Sequence, residues 1–157
     1  MAAATPSQTV GPFFSFGLCL RDQHELVDPQ RADAIRIGGR VLNGEGDPVD
    51  DALVEIWDGA AWGRCATDIE GRYGFVTVKP AGSGAPYITA LIFARGLLKP
   101  LLTRIYFPGA PGNATDPLLA AVSDDERRGL IGEAAGAGAI RFDIHLQGDL
   151  QTTFLAL

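Results

Sequence analysis

The chain has 157 residues, a length suited to one domain with one core, and 46% of them are hydrophobic, enough to fill that core. A net charge of -6 at pH 7 argues against nucleic acid and anionic membrane surfaces, both of which demand a basic face. No run suits a membrane-spanning helix, and Met1 to Thr9 holds no Lys or Arg and leads into no long apolar region. It does not read as a secretory signal, so the expected location is cytoplasmic.

Residues 1–33 read as an irregular N-terminal arm, broken at Gly11-Pro12, Gly17 and Asp28-Pro29, within the same domain as residues 34–157. Such an arm needs a surface to lie against. From Ile35 to Leu42 the pattern becomes that of a strand, and Asn43-Gly-Glu-Gly-Asp-Pro48 is turn chemistry. Ala52 to Trp57 is the next strand. Asp68-Ile-Glu-Gly71 turns the chain into a strand from Tyr73 to Val78, and residues 80–86 form a loop. Tyr87 to Arg95 and Leu101 to Phe107 read as a pair of long strands.

Ser123-Asp-Asp-Glu126 matches a capping box, which predicts one helix running through Arg-Arg-Gly-Leu-Ile to about Gly136 or Gly138. Ile140 to Gln147 alternates strictly: Ile140, Phe142, Ile144 and Leu146 face one way, and Arg141, Asp143, His145 and Gln147 the other. Thr152 to Leu155 adds a possible final strand. Many short strands with frequent turns and one short helix define an all-β fold, a β-sandwich.

The residues display no complete catalytic set. His24 falls in the arm, and His145 on the polar face of its strand reads as a solvated side chain. No G-x-S-x-G elbow supports a serine nucleophile, and no glycine-rich loop ends in Lys-Ser or Lys-Thr. Cys19 and Cys65 stand far apart in sequence and read as idle or buried thiols. Tyr73, Tyr87 and Tyr106 are oxygen donors of the kind that suits ferric iron, but no imidazole accompanies them after Pro86, and core or interface packing is the better reading of all three.

Several phrases together carry a more specific signal: Thr5-Pro-Ser-Gln-Thr-Val-Gly-Pro-Phe13, Gly39-Arg-Val-Leu-Asn-Gly-Glu-Gly-Asp-Pro-Val49, Leu53-Val-Glu-Ile-Trp57 and Gly63-Arg-Cys-Ala-Thr-Asp68. Further on come Thr77-Val-Lys-Pro80, Phe93-Ala-Arg-Gly-Leu-Leu98, Thr103-Arg-Ile-Tyr-Phe-Pro108 and Arg141-Phe-Asp-Ile-His-Leu-Gln-Gly148. In this order the chain resembles the intradiol ring-cleaving dioxygenases, and its opening phrase and Phe-Ala-Arg-Gly-Leu-Leu resemble an alpha-type subunit.

The resemblance implies a β-sandwich that pairs with a homologous beta-type subunit. That partner holds a non-haem Fe(III) through two tyrosines and two histidines and opens the ring of protocatechuate with O2. The family's His-x-His falls at Tyr87-Ile-Thr89, and the two tyrosine-bearing loops are short here, so the iron is expected in the partner and not in this chain. The resemblance places Thr9, Gly11, Pro12 and Phe13 of the arm, with Arg95, at the partner's substrate pocket. Phe13 stands where alpha-type chains commonly carry tyrosine. Read from the residues alone, Gly11-Pro12 is a turn and Arg95 a surface ion pair. A second reading, a catalytically inactive stand-alone β-sandwich for binding or assembly, stays open at this point.

Overall fold

The structure, a computed structural model, describes residues 4–11 and 13–156. Among the described residues, nine strands form two sheets. The first contains β1 (Ala34–Leu42), β4 (Arg72–Val78), β7 (Glu133–Ala134), β8 (Ala139–Arg141) and β9 (Ile144–His145). The second runs β3 (Trp62–Ala66), β2 (Leu53–Trp57), β5 (Tyr87–Phe93), β6 (Leu101–Tyr106).

The inner faces follow from period-two alternation. From the first sheet Ile37, Val41, Tyr73, Phe75, Ile140, Phe142 and Ile144 are buried, and from the second Val54, Ile56, Ile88, Ala90, Ile92 and Ile105. Each such large apolar side chain stabilises the fold by about 1.5–3 kcal/mol through burial. A smaller cluster of Tyr106, Leu119 and Leu130 seals one end.

The predicted β-sandwich is therefore present, with differences in detail. The run from Ile140 to Gln147 alternates as expected but splits into β8 and β9, both parallel to β1 in one register. Between them the Asp143 carboxylate accepts the Arg40 backbone N–H at 3.0 Å, which replaces a ladder bond. The capping box is formed, with Ser123 accepting the Glu126 N–H and Glu126 accepting that of Ser123. Its helix, α3 (Asp124–Arg128), is a correction to the predicted extent: it stops at Gly129, and the chain beyond pairs as β7. Two further five-residue helices, α1 (Phe14–Leu18) and α2 (Pro117–Ala121), occur where none was predicted. The segment Thr152–Leu155 makes a single bridge, Leu155 with Leu102, and not a strand.

The arm lies against the chain's own sandwich. Glu25 bridges Val76 in parallel, with Leu26 N–H donating to Val76 O at 2.8 Å and Val76 N–H to His24 O at 2.9 Å. Arg64 closes the same contact, its N–H donating to Gln23 O at 3.0 Å and its Nη1 to Leu18 O at 2.8 Å. The arm sits directly on Gly63, where a Cβ would stand 2.4 Å from Leu26 Cδ1 and 2.8 Å from Gln23 O.

Candidate functional site

At the end of β5 the chain reverses through Ala94, Arg95, Gly96 and Leu97, closed by Leu97 N–H donating to Ala94 O at 3.2 Å. Gly96 has φ +90°, the conformation a type II turn requires at its third residue, which is why glycine follows the arginine here. The turn holds Arg95 outward. Thr9 of the arm docks on its backbone, its hydroxyl oxygen accepting the Gly96 N–H at 2.7 Å. The predicted residues Thr9 and Arg95, 86 positions apart, thus meet at one turn.

The Arg95 guanidinium donates through Nε to the carboxylate of Asp51. The surface ion pair that the residues alone suggested is present, and Asp51 is a member of this site that the sequence did not flag. Gly11 takes part in a turn, its carbonyl accepting the Phe14 N–H at 3.2 Å. Phe13 is 76% exposed, an unusual state for a large apolar ring. Pro12 lies outside the described residues.

The outer face of the second sheet holds the positions that the resemblance assigns to iron. Thr89 stands opposite Trp57 on β2 and Arg104 on β6, and Tyr87 opposite Tyr106. The Arg104 guanidinium carbon lies 4.0 Å from the centre of the Tyr87 ring. Its Nη1 donates to the Tyr106 hydroxyl at 3.2 Å, and that hydroxyl donates to Asp116 at 3.0 Å. A permanent cation thus sits over position 87, which opposes a ferric ion. Burial raises the Tyr106 phenol above its ordinary pKa; the bond from Arg104 lowers it, and Asp116 adds to the rise.

Tyr73 is equally unsuited to ligation. Its hydroxyl is buried and donates to Phe142 O at 2.5 Å, and burial pushes its pKa strongly upward, away from tyrosinate. Neither histidine reaches this face. His24 belongs to the arm at β4, and His145 lines a cavity of about 630 Å³ beside Asp143 and Thr152. Among the described residues no group of three or more His, Cys, Asp or Glu is placed to hold a metal ion. The donor set of this chain does not fit the family's iron.

The connections explain the shortness of the loops in physical terms. β2 and β3 are joined by residues 58–61 alone. Asp58 closes that hairpin, accepting the Ala60 and Ala61 N–H groups at 2.9 and 2.7 Å and the Thr77 hydroxyl at 2.8 Å. The loop before β5 is packed against a 3-10 turn, Pro111–Ala114: a Cβ on Gly112 would lie 2.6 Å from Ala85 N.

A two-sheet sandwich of this kind is shared with known dioxygenases. The dioxygenase domain of a dioxygenase carbohydrate-binding protein fusion from a Streptomyces species superposes with a TM-score of 0.66 at 25% identity, over 93% of this chain and 99% of that one. Catechol 1,2-dioxygenase from an Acinetobacter species shares the fold at TM-score 0.61 and 18% identity, over 85% of this chain and 60% of its own. No protein-family model matches the chain. Protocatechuate 3,4-dioxygenase alpha chain of Burkholderia cepacia is 34% identical over 188 aligned positions, covering 96% of this chain and 95% of that one. The beta chain from the same organism is 32% identical over 74% of this chain and 65% of its own length. The chain belongs to the intradiol ring-cleaving dioxygenase family, on the side of the protocatechuate 3,4-dioxygenase alpha chains. The alignment with the alpha chain is longer than the 157 residues present here, so that relative carries segments this chain lacks.

No helix among the described residues is long and apolar enough to cross a membrane.

Proposed function

We propose that this chain is the pocket-completing, iron-free subunit of a protocatechuate 3,4-dioxygenase. In this reading it pairs with a homologous beta-type chain whose Fe(III) supports intradiol opening of protocatechuate by O2. The observation that carries the reading is alignment with alpha chains over nearly the full length of both partners, which the beta-chain match does not reach.

The chemistry assigned to this chain is recognition. Protocatechuate carries a ring carboxylate, and an acidic protein needs local positive charge to receive it. Arg95, exposed on a rigid turn, supplies a planar guanidinium with donors in a fork. Thr9 fixes the arm against that turn, and the same reading assigns Gly11 and Phe13, further along the arm, to the pocket. The metal, held by the partner, supplies the redox chemistry.

The test is coexpression with a beta-type chain, followed by iron analysis and steady-state kinetics. Arg95→Ala is expected to raise KM for protocatechuate about tenfold, the low end for a hydrogen bond to a charged group, while iron content stays constant. Tenfold is chosen because Asp51 already satisfies part of the charge. A hetero-oligomer that fails to form, or an Arg95→Ala enzyme with unchanged KM, would refute the assignment.

A further inference from the structure

Asp51 and Arg95 are 44 residues apart in sequence, yet their side chains pair. The two partners are unequally placed: the Asp51 side chain is 27% exposed and that of Arg95 60%. The carboxylate is anchored beside β2 while the guanidinium projects. The bond uses Nε, and among the described residues the Nη groups make no other hydrogen bond or ion pair. Thr9 holds the same turn by accepting the Gly96 N–H.

We propose that Asp51 is a positioning residue for substrate recognition: it holds the Arg95 guanidinium so that its terminal Nη edge meets the carboxylate of the aromatic acid. The inference rests on the pocket role given above to Arg95. An unrestrained arginine samples many rotamers, and ordering it on binding weakens affinity. Pairing Nε with a carboxylate orders it beforehand and leaves the forked edge for the ligand.

Charge alone predicts the opposite effect, which makes the sign of the result decisive. Removing Asp51 makes the site more positive by one charge, so simple attraction would lower KM for an anionic substrate. Positioning predicts that KM rises.

The experiment uses the assembled hetero-oligomer with protocatechuate and, separately, with catechol, which lacks the carboxylate. Asp51→Ala is expected to raise KM for protocatechuate about fivefold, the worth of roughly one hydrogen bond, with kcat and the KM for catechol little changed. Asp51→Asn retains an oxygen to accept from Nε and is expected to recover part of the loss. In an Arg95→Ala background, Asp51→Ala is expected to add nothing. A lowered or unchanged KM for protocatechuate, or an equal rise for both substrates, overturns the proposal. If Arg95→Ala raises KM and neither Asp51 variant does, this inference alone fails. If Arg95→Ala leaves KM unchanged, the pocket reading itself fails and takes this inference with it.

Discussion

The arm is attached to the sandwich at Gly63, and a single methyl group tests that attachment. In Gly63→Ala the new Cβ would stand 2.4 Å from Leu26 Cδ1 and 2.8 Å from Gln23 O. The leucine methyl can rotate away, but the Gln23 carbonyl is backbone and accepts the Arg64 N–H at 3.0 Å. Relief therefore requires residues 23–26 to shift, which strains that bond and the two that join His24 and Leu26 to Val76. Overpacking of this kind costs about 1–3 kcal/mol. The same substitution at Gly74 provides a control of opposite expectation. Its Cβ would meet only Ile37 O, at 4.0 Å, and its φ is not positive, so the loss of unfolded-chain entropy is expected to stabilise by about 0.4–1 kcal/mol. Denaturant unfolding of both variants measures the contrast, and amide exchange at Arg64, Leu26 and Val76 shows whether the arm has loosened. Equal stability of the two variants, or unchanged protection at those amides in Gly63→Ala, would refute the attachment described here.

Three further outcomes are expected. Ser123→Ala removes the side-chain acceptor of the capping box and should cost about 1 kcal/mol in thermal or denaturant unfolding. Asp58 is raised in pKa by burial, but hydrogen bonds from Ala61, Ala60 and Thr77 outweigh this and leave it below the ordinary carboxylate range. A depressed folded pKa gives stability that is present above the unfolded value and lost as pH falls through the folded one, so the destabilisation by Asp58→Ala should be largest at neutral pH and shrink as the pH falls through and below the ordinary carboxylate range; a pH-independent difference would contradict this. Restoring imidazoles by Tyr87→His with Thr89→His should still yield a chain without stoichiometric iron, because Arg104 keeps its charge over that position; about one iron per chain by elemental analysis would show otherwise.

The sequence was legible where the local pattern decides the structure. The alternation from Ile140 to Leu146 survives even though the strand is interrupted, because burial is set by side-chain parity and not by unbroken ladder bonds. The Ser123 cap was legible for the same local reason. β3 was not: Trp62-Gly-Arg-Cys-Ala has no apolar alternation, and it is a strand because Glu55 and Arg64 pair across it at 2.5 Å and five of its residues are in register with β2. The helix from Ser123 was read too long because its end depends on pairing of Glu133 and Ala134 with β8, a tertiary event. In the proposed site, Thr9 and Arg95 are named by the phrases that carry the resemblance, while Asp51 lies in an ordinary acidic turn and gains meaning only from its contact across the fold.

Two arginines on this chain are held by the fold in different ways. Both project from the second sheet or its turns, and both are held by a neighbour, Arg95 by Asp51 and Arg104 by the Tyr106–Asp116 pair. Their surroundings differ in what remains available. Arg104 stacks on Tyr87 and bonds to Tyr106, so its charge is spent within the fold, on the face where the family's histidines fall. Arg95 has one side-chain bond among the described residues, a large exposed surface and an arm docked beside it, so its forked edge is not used within the fold. A guanidinium needs no metal loop to stay in place, which fits a chain whose β2–β3 connection has contracted to residues 58–61. That connection and the turn at residues 94–97 lie at different strand ends and are stabilised by separate bonds. The short β2–β3 connection and the Arg95 turn are therefore structurally independent, and a change in the length of one need not disturb the other.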